Sequence, residues 1–398
     1  MAERLIPNFD HLKIAIISPY SMEPTGGVQK HIAGYSKYLE NQGHTPTVIS
    51  PCNPNYIENA KVNFATRRIF LAKVSKHEHN GTVAHVSEKV PVNPVEIARV
   101  WKQIQPDVLH THDPYLSASA LEMIIYSRLP HLNSKHAYNF ATFHAFNSDD
   151  RPMYKIIGLL RYGYDPILDG TIVVSRATQQ FAQRFYRRDH ELITNGIDTT
   201  QFTSQNERLE RFSDGKINIV CTGRLEPRKG VKHLLNTYAT VKKDHPQIRL
   251  IIAGDGPERH ELEQMVKRDG IGEVEFLGRV SDEDLPKIYK TADICAFFTT
   301  HGEAQGLVLL EAMASNKPVV AGNNPGYSTV INHLENGILI EPKNTQQSAA
   351  MMKKLIENEE FRAQIAKQGL TTALGYDWQK VGKQILDYYK KQILKTAH

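Results

Sequence analysis

The sequence predicts an α/β protein made of two successive parallel sheets with a cleft between them. Its 398 residues exceed the size at which one hydrophobic core keeps growing, which favours two domains. Short continuous apolar runs, such as 13–18 and 217–222, are typical of strands buried on both faces. Because these runs alternate with stretches of helical apolar spacing, the pattern is that of parallel βαβ units.

The first half of the chain contains a glycine pair, Gly26 and Gly27, between its first strand and a helix over 28–39. Such a pair lets backbone N–H groups approach an anion at the positive helix end, and a tight turn alone is the alternative explanation. The strands predicted in this half lie at 13–18, 47–49, 107–112, 140–143 and 171–175.

Three histidines lie at or just after the ends of predicted strands of the first half. His110 and His112 form an H-x-H pair, but no cysteine or third histidine has ligand-like spacing nearby, so no metal site is predicted. His144 follows the strand over 140–143, and ligands of open parallel sheets bind beyond such strand ends. His144 is therefore a candidate site residue, with a histidine that only caps its strand as the alternative.

The second half restarts the same pattern after a polar, charged stretch at 199–216, which is predicted to be an interdomain linker. Its predicted strands lie at 217–222, 249–253, 274–277, 293–298 and 319–321. Its predicted helices lie at 231–241, from 258 onward, and at 282–289, 306–314, 345–356 and 378–394. The domain boundaries predicted from this pattern are 1–198, 199–374, and a C-terminal helix within 375–398 that crosses back to the first domain.

Composition fits a cytosolic protein and is compatible with an anionic ligand or membrane surface. The charged fraction of 23% and hydrophobic fraction of 40% are those of an ordinary globular protein. Three cysteines far apart fit reduced core thiols, and the N-terminus shows no signal pattern. The net charge of +5 is compatible with an anionic ligand or membrane surface and does not indicate a nucleic-acid partner.

Residues 53–95 are predicted to be irregular and carry interleaved basic and apolar side chains. Such a segment can lie on an anionic membrane surface. An edge strand with a solvated loop is an equally open interpretation. The interleaved residues are Lys61, Phe64, Arg67, Arg68, Ile69, Phe70, Leu71, Lys73, Val74 and Lys76.

Charged residues of the second half converge on one sheet edge. Arg224 and Lys229 share one strand-to-helix loop, and an arginine fork with a lysine point charge commonly holds a diphosphate. Glu303 and Glu311 flank the start of another helix; if that span were wholly helical, their carboxylates would lie roughly 12 Å apart along the axis. A dipole partner and a solvated face are the plain alternatives. Together the residues fit a ligand with a diphosphate and two polyol ends, namely a nucleotide sugar.

The order of these motifs resembles the retaining glycosyltransferases of family 4, whose GT-B fold has two Rossmann-like domains facing across a cleft. The resemblance covers nearly the whole chain and rests on Gly26-Gly27-Val28, the G-R-x-x-x-x-K-G run from Gly223, Gly254-x-Gly256 and the E-x₇-E pair Glu303 and Glu311. The chain is similar to the bacterial phosphatidylinositol mannosyltransferases at Pro19-Tyr20-Ser21, Gly26-Gly27-Val28-Gln29-x-His31, Thr142-Phe143-His144, Asn195-Gly196-Ile197-Asp198 and Glu226-Pro227-Arg228-Lys229-Gly230.

The resemblance implies a role for each matching position. The implied catalytic residues are Arg224, Lys229, His144 and Glu303. The implied donor-binding residues are Gly26, Gly27, Gly254, Gly256, Val280, Gly306, Leu307 and Glu311. The implied acceptor-binding residues are Tyr20, Gln29 and His31. No metal is implied, because the basic residues replace the cation. Family members commonly have Phe where this chain has Gln305, which leaves sugar selection open at that position.

The resemblance implies a donor such as GDP-mannose, with a UDP-sugar as the alternative, and no further cofactor. The implied acceptor is a membrane lipid such as phosphatidylinositol, which would place the protein peripherally on the inner face of the plasma membrane. The same chemistry on a soluble sugar or polysaccharide acceptor stays open, as does a sugar-nucleotide-binding module without turnover. A nicotinamide dehydrogenase is disfavoured, because G-x-G-x-x-G is missing after Ser18.

Overall fold

The computed structural model describes residues 5–22, 26–52, 67–79, 82–87, 94–114, 118–128, 137–144, 165–184 and 188–396. These residues divide into two compact units. The first unit holds the described residues within 1–79 and 83–196 together with the chain from Trp378 onward. The second unit holds chiefly residues 197–377.

The first unit is built on a mainly parallel sheet. Its strands are β1 (Lys13–Ile17), β2 (Thr45–Cys52), β3 (Arg67–His79), β4 (Thr82–Ser87), β5 (Val108–His112), β6 (Tyr138–Phe143), β7 (Gly170–Val173) and β8 (Glu191–Leu192). Within the described residues these eight strands are ordered β4-β3-β2-β1-β5-β6-β7-β8. From β3 to β8, neighbouring strands pair in parallel. The strand order reverses between β1 and β5, so the loops after these two strands border the usual ligand crevice of such a sheet.

Helices α1 (Gly27–Asn41), α2 (Pro94–Ile104), α3 (Ala118–Tyr126) and α4 (Arg176–Gln183) belong to the same unit. Helix α1 buries Ile32, Tyr35 and Leu39, which recur at the three-to-four-residue spacing of one helix face. Helix α4 begins where the Ser175 hydroxyl accepts the Thr178 N–H at 3.1 Å, which satisfies one of the free donors of its first turn.

The second unit repeats this construction with a six-stranded sheet. Its strands are β9 (Ile217–Thr222), β10 (Ile248–Ala253), β11 (Val274–Gly278), β12 (Ile294–Phe297), β13 (Val319–Gly322) and β14 (Ile338–Ile340). All neighbours pair in parallel in the order β11-β10-β9-β12-β13-β14. The order reverses between β9 and β12, so the loops after these two strands meet at the switch point of the sheet.

The helices of the second unit are α5 (Val231–Lys242), α6 (Arg259–Arg268), α7 (Leu285–Thr291), α8 (Leu307–Ala314), α9 (Thr345–Glu357) and α10 (Glu359–Ala373). Asn344 and Asn358 cap α9 and α10 by accepting backbone N–H groups of Gln347 and Phe361. Leu309, Leu310 and Met313 of α8 are buried, which anchors that short helix against the sheet.

Two sequence predictions need correction. Residues 199–216 are not a free linker: Phe202 and Phe212 are buried in the core of the second unit, and Asp377 accepts the Thr199 hydroxyl. The segment predicted to be irregular at 53–95 contains β3 and β4, which lie at one edge of the sheet, so the edge-strand interpretation of this segment is confirmed. Residues 53–66, including Lys61 and Phe64, lie outside the described residues.

The last helix, α11 (Trp378–Thr396), packs in the first unit. It buries Val381, Ile385, Tyr389 and Ile393 at helical spacing. The Trp378 indole lies so close to Gly34 that a Cβ there would come within 2.2 Å of its nitrogen, so only glycine fits under the ring. Among the described residues, no helix has both the length and the apolar character required to cross a membrane.

Candidate active site

The switch point of the second sheet carries a linked set of charged side chains, here called the ion cluster: Arg224, Glu226, Arg228, Lys229 and Glu303. The first four come from the loop after β9, and Glu303 comes from the loop after β12. Arg224 and Arg228 both bond to Glu226, with N–O distances of 2.6 and 3.1 Å from their Nε atoms. The structure therefore brings the predicted residues Arg224, Lys229 and Glu303 together at one sheet edge.

Glu303 is the link between the two loops. Its Oε1 accepts from Arg228 Nη1 at 2.7 Å and from Lys229 Nζ. Its Oε2 accepts no hydrogen bond from the part of the chain that the structure describes. Burial by itself would raise the pKa of Glu303, but the nearby Lys229 and Arg228 outweigh burial and hold the pKa below its ordinary value. The Glu303 carboxylate is thus ionised, with Oε1 held by two cations and Oε2 able to accept a hydrogen bond from a ligand.

Sequence reasoning missed the roles of Glu226 and Arg228. The side chain of Glu226 is 1% exposed, and it neutralises two arginines, one on either side along the loop. Arg228 joins the two carboxylates, because it bonds to both Glu226 and Glu303. The only signal in the sequence was an acidic residue within a basic loop, which does not reveal burial.

Gly254, Gly256 and Gly306 of the second unit lie where a larger side chain would collide with its neighbours, which the sequence alone did not show. A Cβ on Gly254 would lie 1.8 Å from the carbonyl oxygen of Gly223, and one on Gly256 would lie 2.4 Å from that of Leu225. The loops after β9 and β10 therefore touch backbone to backbone. Gly306 has φ of +94° and caps α8, and a Cβ there would lie 2.4 Å from the Tyr327 ring.

Glu311 lies inside α8 and is 3% exposed. Its Oε2 accepts the Tyr289 hydroxyl at 2.7 Å, and that hydroxyl also contacts Thr222 Oγ1, at the end of β9, at 2.7 Å. Because α8 begins only at Leu307, the span from Glu303 is not wholly helical, so the 12 Å estimate for a continuous helix does not apply. Val280, after β11, packs partly buried against the core of the unit.

A small pocket opens beside the ion cluster. It is lined by Thr222, Gly223, Arg224, Lys229, Thr299 and Tyr327, among others. Arg224 and Lys229 line the same pocket at the carboxyl ends of β9 and β12, where an anionic ligand of a parallel sheet is expected. The hydroxyls of Tyr327 and Thr299, two of the lining residues, share a hydrogen bond of 2.9 Å.

The first unit carries a second set of polar side chains, the histidine cluster: His31, His110, His112 and His144. His31 lies on α1, His110 and His112 lie at the end of β5, and His144 follows β6. His112 Nδ1 and His144 Nε2 share a hydrogen bond of 2.8 Å. The His31 ring lies 4.8 Å from the His144 ring and 5.4 Å from the His112 ring.

These histidines are all neutral at neutral pH. Burial lowers the pKa of His31 and of His110 to about 3. Burial, followed by the neighbouring histidines, lowers the pKa of His112 and His144 well below the ordinary value. The hydroxyls of Thr142 and Tyr389 occupy both nitrogens of His110, at 2.7 and 2.5 Å.

Asp113 supports the predicted residue His144. It adopts φ of +42°, a left-handed conformation that is uncommon for residues other than glycine. Its Oδ1 accepts the backbone N–H of His144 at 2.7 Å, and its own N–H donates to the carbonyl of Thr142. Local backbone strain of this kind clusters at functional sites.

The remaining predicted residues of the first unit lie around the start of α1. Gly26 is the N-cap and Gly27 the first helical residue. The Gln29 side chain donates to the Ser21 carbonyl at 3.0 Å and lies beside Gly26, where a Cβ would meet its Oε1 at 2.8 Å. Tyr20 is partly buried in the loop after β1. These residues share the switch point of the first sheet with His31.

Two Rossmann-like units, one with an ion cluster at its switch point, define the GT-B class of glycosyltransferases. Solved structures share this fold: a complex of Anabaena HepE with UDP and glucose matches 96% of this chain and all of its own at 20% identity and a TM-score of 0.74. A glycosyltransferase from Rickettsia africae matches 97% of this chain and 99% of its own at 21% identity, also with a TM-score of 0.74.

Family models match almost the whole chain. Residues 25–201 match the model described as Glycosyltransferase Family 4, and residues 203–371 match Glycosyl transferases group 1. The chain belongs to the family 4 glycosyltransferases, which confirms the predicted resemblance and fold.

Relatives named phosphatidyl-myo-inositol mannosyltransferase match this chain over nearly its whole length. The protein from Mycobacterium tuberculosis strain H37Rv is 28% identical over 95% of this chain and 97% of its own length. The protein from Propionibacterium freudenreichii is 26% identical over 95% of this chain and 94% of its own.

Proposed function

We propose that this glycosyltransferase moves mannose from GDP-mannose to a membrane lipid such as phosphatidylinositol, with retention of configuration at the anomeric carbon. The observation that carries the proposal is the ion cluster, in which three cations from one loop surround two carboxylates at the switch point of the second sheet. The names of the relatives that match 95% of this chain support mannose and the lipid acceptor. In this proposal the second unit binds the donor and the first unit binds the acceptor.

The ion cluster suits a diphosphate because its cations are held in place before the ligand arrives. Glu226 fixes Arg224, and Glu303 fixes Lys229. With three cationic and two anionic side chains, the cluster keeps a net positive charge toward an incoming diphosphate. Preorganised charges stabilise a developing anion without the cost of reorienting at the moment of reaction.

The sugar and nucleoside ends of the donor have candidate partners on either side of that diphosphate. We assign the free Oε2 of Glu303 to hydroxyls of the sugar, with backbone N–H groups of Gly306 and Leu307 beside it. Glu311 is assigned to the ribose and Val280 to the base. Gln305, which is 2% exposed, lies two residues after Glu303, and we assign it to selection of the sugar.

The reaction requires charge stabilisation more than acid or base groups. An oxygen of the acceptor hydroxyl forms a bond to the anomeric carbon while the bond from that carbon to the diphosphate oxygen breaks. The hydroxyl proton passes to a phosphate oxygen of the leaving group on the same face, so configuration is retained. Arg224 and Lys229 stabilise the charge that grows on the diphosphate, which is worth several kcal/mol in comparable oxyanion sites.

The acceptor side is assigned to the first unit. Tyr20, Gln29 and His31 would contact an inositol-like headgroup. Gly26 and Gly27, at the start of α1, are assigned instead to the donor, because a helix N-terminus offers N–H groups to an anion. His144 is assigned to the sugar near the acceptor. A lipid acceptor would hold the protein on the inner face of the plasma membrane.

Sugar transfer from labelled nucleotides tests the proposal. The protein is incubated with labelled GDP-mannose, UDP-glucose or ADP-glucose, and with phosphatidylinositol vesicles or a soluble sugar phosphate. Label in the lipid fraction from GDP-mannose is expected. Label only in the soluble product would indicate that the acceptor is a soluble sugar and not a lipid. Donor binding without transfer or hydrolysis would indicate a binding module and contradict the proposed function.

Glu226→Gln is expected to lower the transfer rate by about 10- to 100-fold and to raise KM for the donor. Glutamine keeps the shape but removes the charge that holds two arginines, and hydrogen bonds to charged groups contribute about 1.5–3 kcal/mol each. Steady-state kinetics with varied donor concentration measure the effect. The control is Glu261→Gln, which removes a 66% exposed carboxylate paired with Lys232 on the surface. Wild-type kinetics in a folded Glu226→Gln variant would contradict the assignment.

A further inference from the structure

The hydroxyl of Tyr289 connects two elements of the second unit. Tyr289 lies on α7 and is fully buried. Its hydroxyl donates to Oε2 of Glu311 on α8 at 2.7 Å and lies 2.7 Å from Oγ1 of Thr222, the last residue of β9. The proposed function assigns Glu311 to the ribose of the donor but gives Tyr289 no role. The hydroxyl thus joins that carboxylate to the strand that leads into the ion cluster.

The direction of both hydrogen bonds follows from the single proton of a phenol. Tyr289 donates that proton to Glu311, so in the bond with Thr222 the threonine hydroxyl is the donor. The Val308 carbonyl is 3.5 Å away, too far to compete for the proton. Burial, followed by the nearby Glu311, raises the pKa of Tyr289 well above its ordinary value, so the phenol keeps its proton at neutral pH.

Packing holds the Tyr289 ring, so its hydroxyl has a fixed position. The ring centroid lies 5.7 Å from that of Phe202 at an interplanar angle of 77°, which is an edge-to-face contact. Both rings belong to the core of the second unit, together with Leu309 and Leu310 of α8. A glutamate side chain has considerable rotamer freedom, and a hydrogen bond from a rigid donor restricts it to one orientation.

We propose that Tyr289 is a positioning residue of the donor site, whose hydroxyl orients the Glu311 carboxylate to accept a hydrogen bond from a ribose hydroxyl of the nucleotide. This inference rests on the proposed function, which assigns Glu311 to the ribose. A carboxylate offers about four acceptor positions, so the bond from Tyr289 does not exclude a ribose hydroxyl. Because Tyr289 is fully buried, it acts through Glu311 and not by contact with the nucleotide.

The consequence is a preference for ribose over deoxyribose. A site built to bind a hydroxyl discriminates against a ligand that lacks it. Loss of the Tyr289 hydroxyl should therefore weaken this preference. It should change the hold on the diphosphate little, because the cations of the ion cluster are fixed by their own carboxylates.

Nucleotide binding to Tyr289→Phe tests the proposal on the full chain. Wild type and variant are titrated by calorimetry with GDP, UDP and ADP and with the 2′-deoxy and 3′-deoxy forms of each. The wild type should bind its preferred ribonucleotide about tenfold more tightly than at least one deoxy form, the scale of one hydrogen bond. In Tyr289→Phe the ratio should fall to about threefold or less, and in Glu311→Ala to about one.

Two further measurements separate positioning from a general loss of structure. Added to Glu311→Ala, Tyr289→Phe should change the ratio no further, because the group that it positions is already gone. In steady-state transfer, Tyr289→Phe alone should raise KM for the donor and leave kcat unchanged, as expected when binding is lost equally from ground state and transition state.

Tyr238→Phe is the matched control, because it also removes a buried phenol hydroxyl from the second unit. That hydroxyl contacts the carbonyls of Gly272 and Glu273, just before β11, at 3.1 and 3.0 Å. It therefore lies at the amino-terminal edge of the sheet, away from Glu311. Circular dichroism confirms that each variant is folded, and Tyr238→Phe should keep the wild-type preference for ribose.

The outcomes distinguish the inference from the proposed function. A wild-type ratio in folded Tyr289→Phe, with the ratio lost in Glu311→Ala, would overturn the positioning role and leave the proposed function intact. An equal loss in Tyr238→Phe would overturn the positioning role too, since the effect would then come from reduced stability. A wild-type protein that does not prefer ribose with any of the three bases would remove Glu311 from the ribose site, and the inference with it.

Discussion

Lys229→Ala is expected to lower the rate of sugar transfer by about 100-fold or more. The ammonium group of Lys229 lines the pocket at the switch point and is held by Glu303. Removing one preorganised charge from an oxyanion site costs about 2.7–4 kcal/mol of transition-state stabilisation, which corresponds to this loss in rate. Single-turnover measurements with saturating donor check it, because they separate the chemical step from product release.

The Lys229→Ala variant should remain folded. Glu303 keeps its bond of 2.7 Å to Arg228, so its carboxylate is not left without a cation. The control is Lys232→Ala, which removes a lysine that is 56% exposed and bonds to Glu261 at 3.3 Å. Exposed ion pairs of this kind contribute little, so wild-type rates are expected. A nearly unchanged rate in folded Lys229→Ala would remove Lys229 from the proposed diphosphate site.

Acidification from pH 7.5 to 5 is expected to lower the free energy of unfolding of the first unit by about 4 kcal/mol from two histidines alone. Burial lowers the pKa of His31 and His110 to about 3, whereas the ordinary value is 6.5. Between these two values the unfolded chain binds protons that the folded chain does not, so stability falls as pH falls. Each histidine contributes about 2 kcal/mol at pH 5, since one pKa unit corresponds to about 1.4 kcal/mol.

Denaturant unfolding at several pH values, followed by tryptophan fluorescence in the presence of a chelator, measures this loss. Both tryptophans of the chain, Trp101 and Trp378, are in the first unit, so the signal reports that unit. Glu303 does not contribute to this pH dependence. Its pKa in the folded protein is lowered, so its protonation affects stability only below the ordinary glutamate pKa of 4.5. His260→Gln should leave the pH dependence unchanged, and His31→Gln should reduce its slope. Constant stability from pH 7.5 to 5 would contradict the prediction.

The elements of the fold were largely predictable from local pattern. The apolar runs at 13–18 and 217–222 became β1 and β9, because a strand covered on both faces needs apolar side chains at every position. The helix with apolar residues at 28, 32, 35 and 39 became α1. Local pattern gave a wrong prediction at 199–216. That segment is polar overall and was predicted to be a linker, but its Phe202 and Phe212 are buried in the core of the second unit.

The candidate sites were only partly predictable. Motif spacing indicated Arg224, Lys229 and Glu303, and the structure places them side by side. Glu226 was part of a matching motif, but its role was not predicted, because that role comes from 1% exposure and from two arginine partners, neither of which spacing reveals.

The histidine cluster was even less predictable from the sequence than the ion cluster. The sequence offers no third histidine near His112 at ligand-like spacing, and the fold supplies two, His31 and His144. Their proximity arises because β1, β5 and β6 are adjacent and parallel, so these three strands end at the same edge of the sheet. His112 and His144 are 32 residues apart in the chain and share a hydrogen bond.

By itself, then, the sequence determined the alternation of strands and helices, the family resemblance and the basic loop that follows β9, because each of these depends on neighbours within a few residues. Tertiary structure alone decided which charges pair, which carboxylate is anchored at one oxygen, and which histidines meet. Those outcomes depend on the order in which strands lie in the sheet, and strand order brings together side chains that the chain separates by 30 to 75 residues.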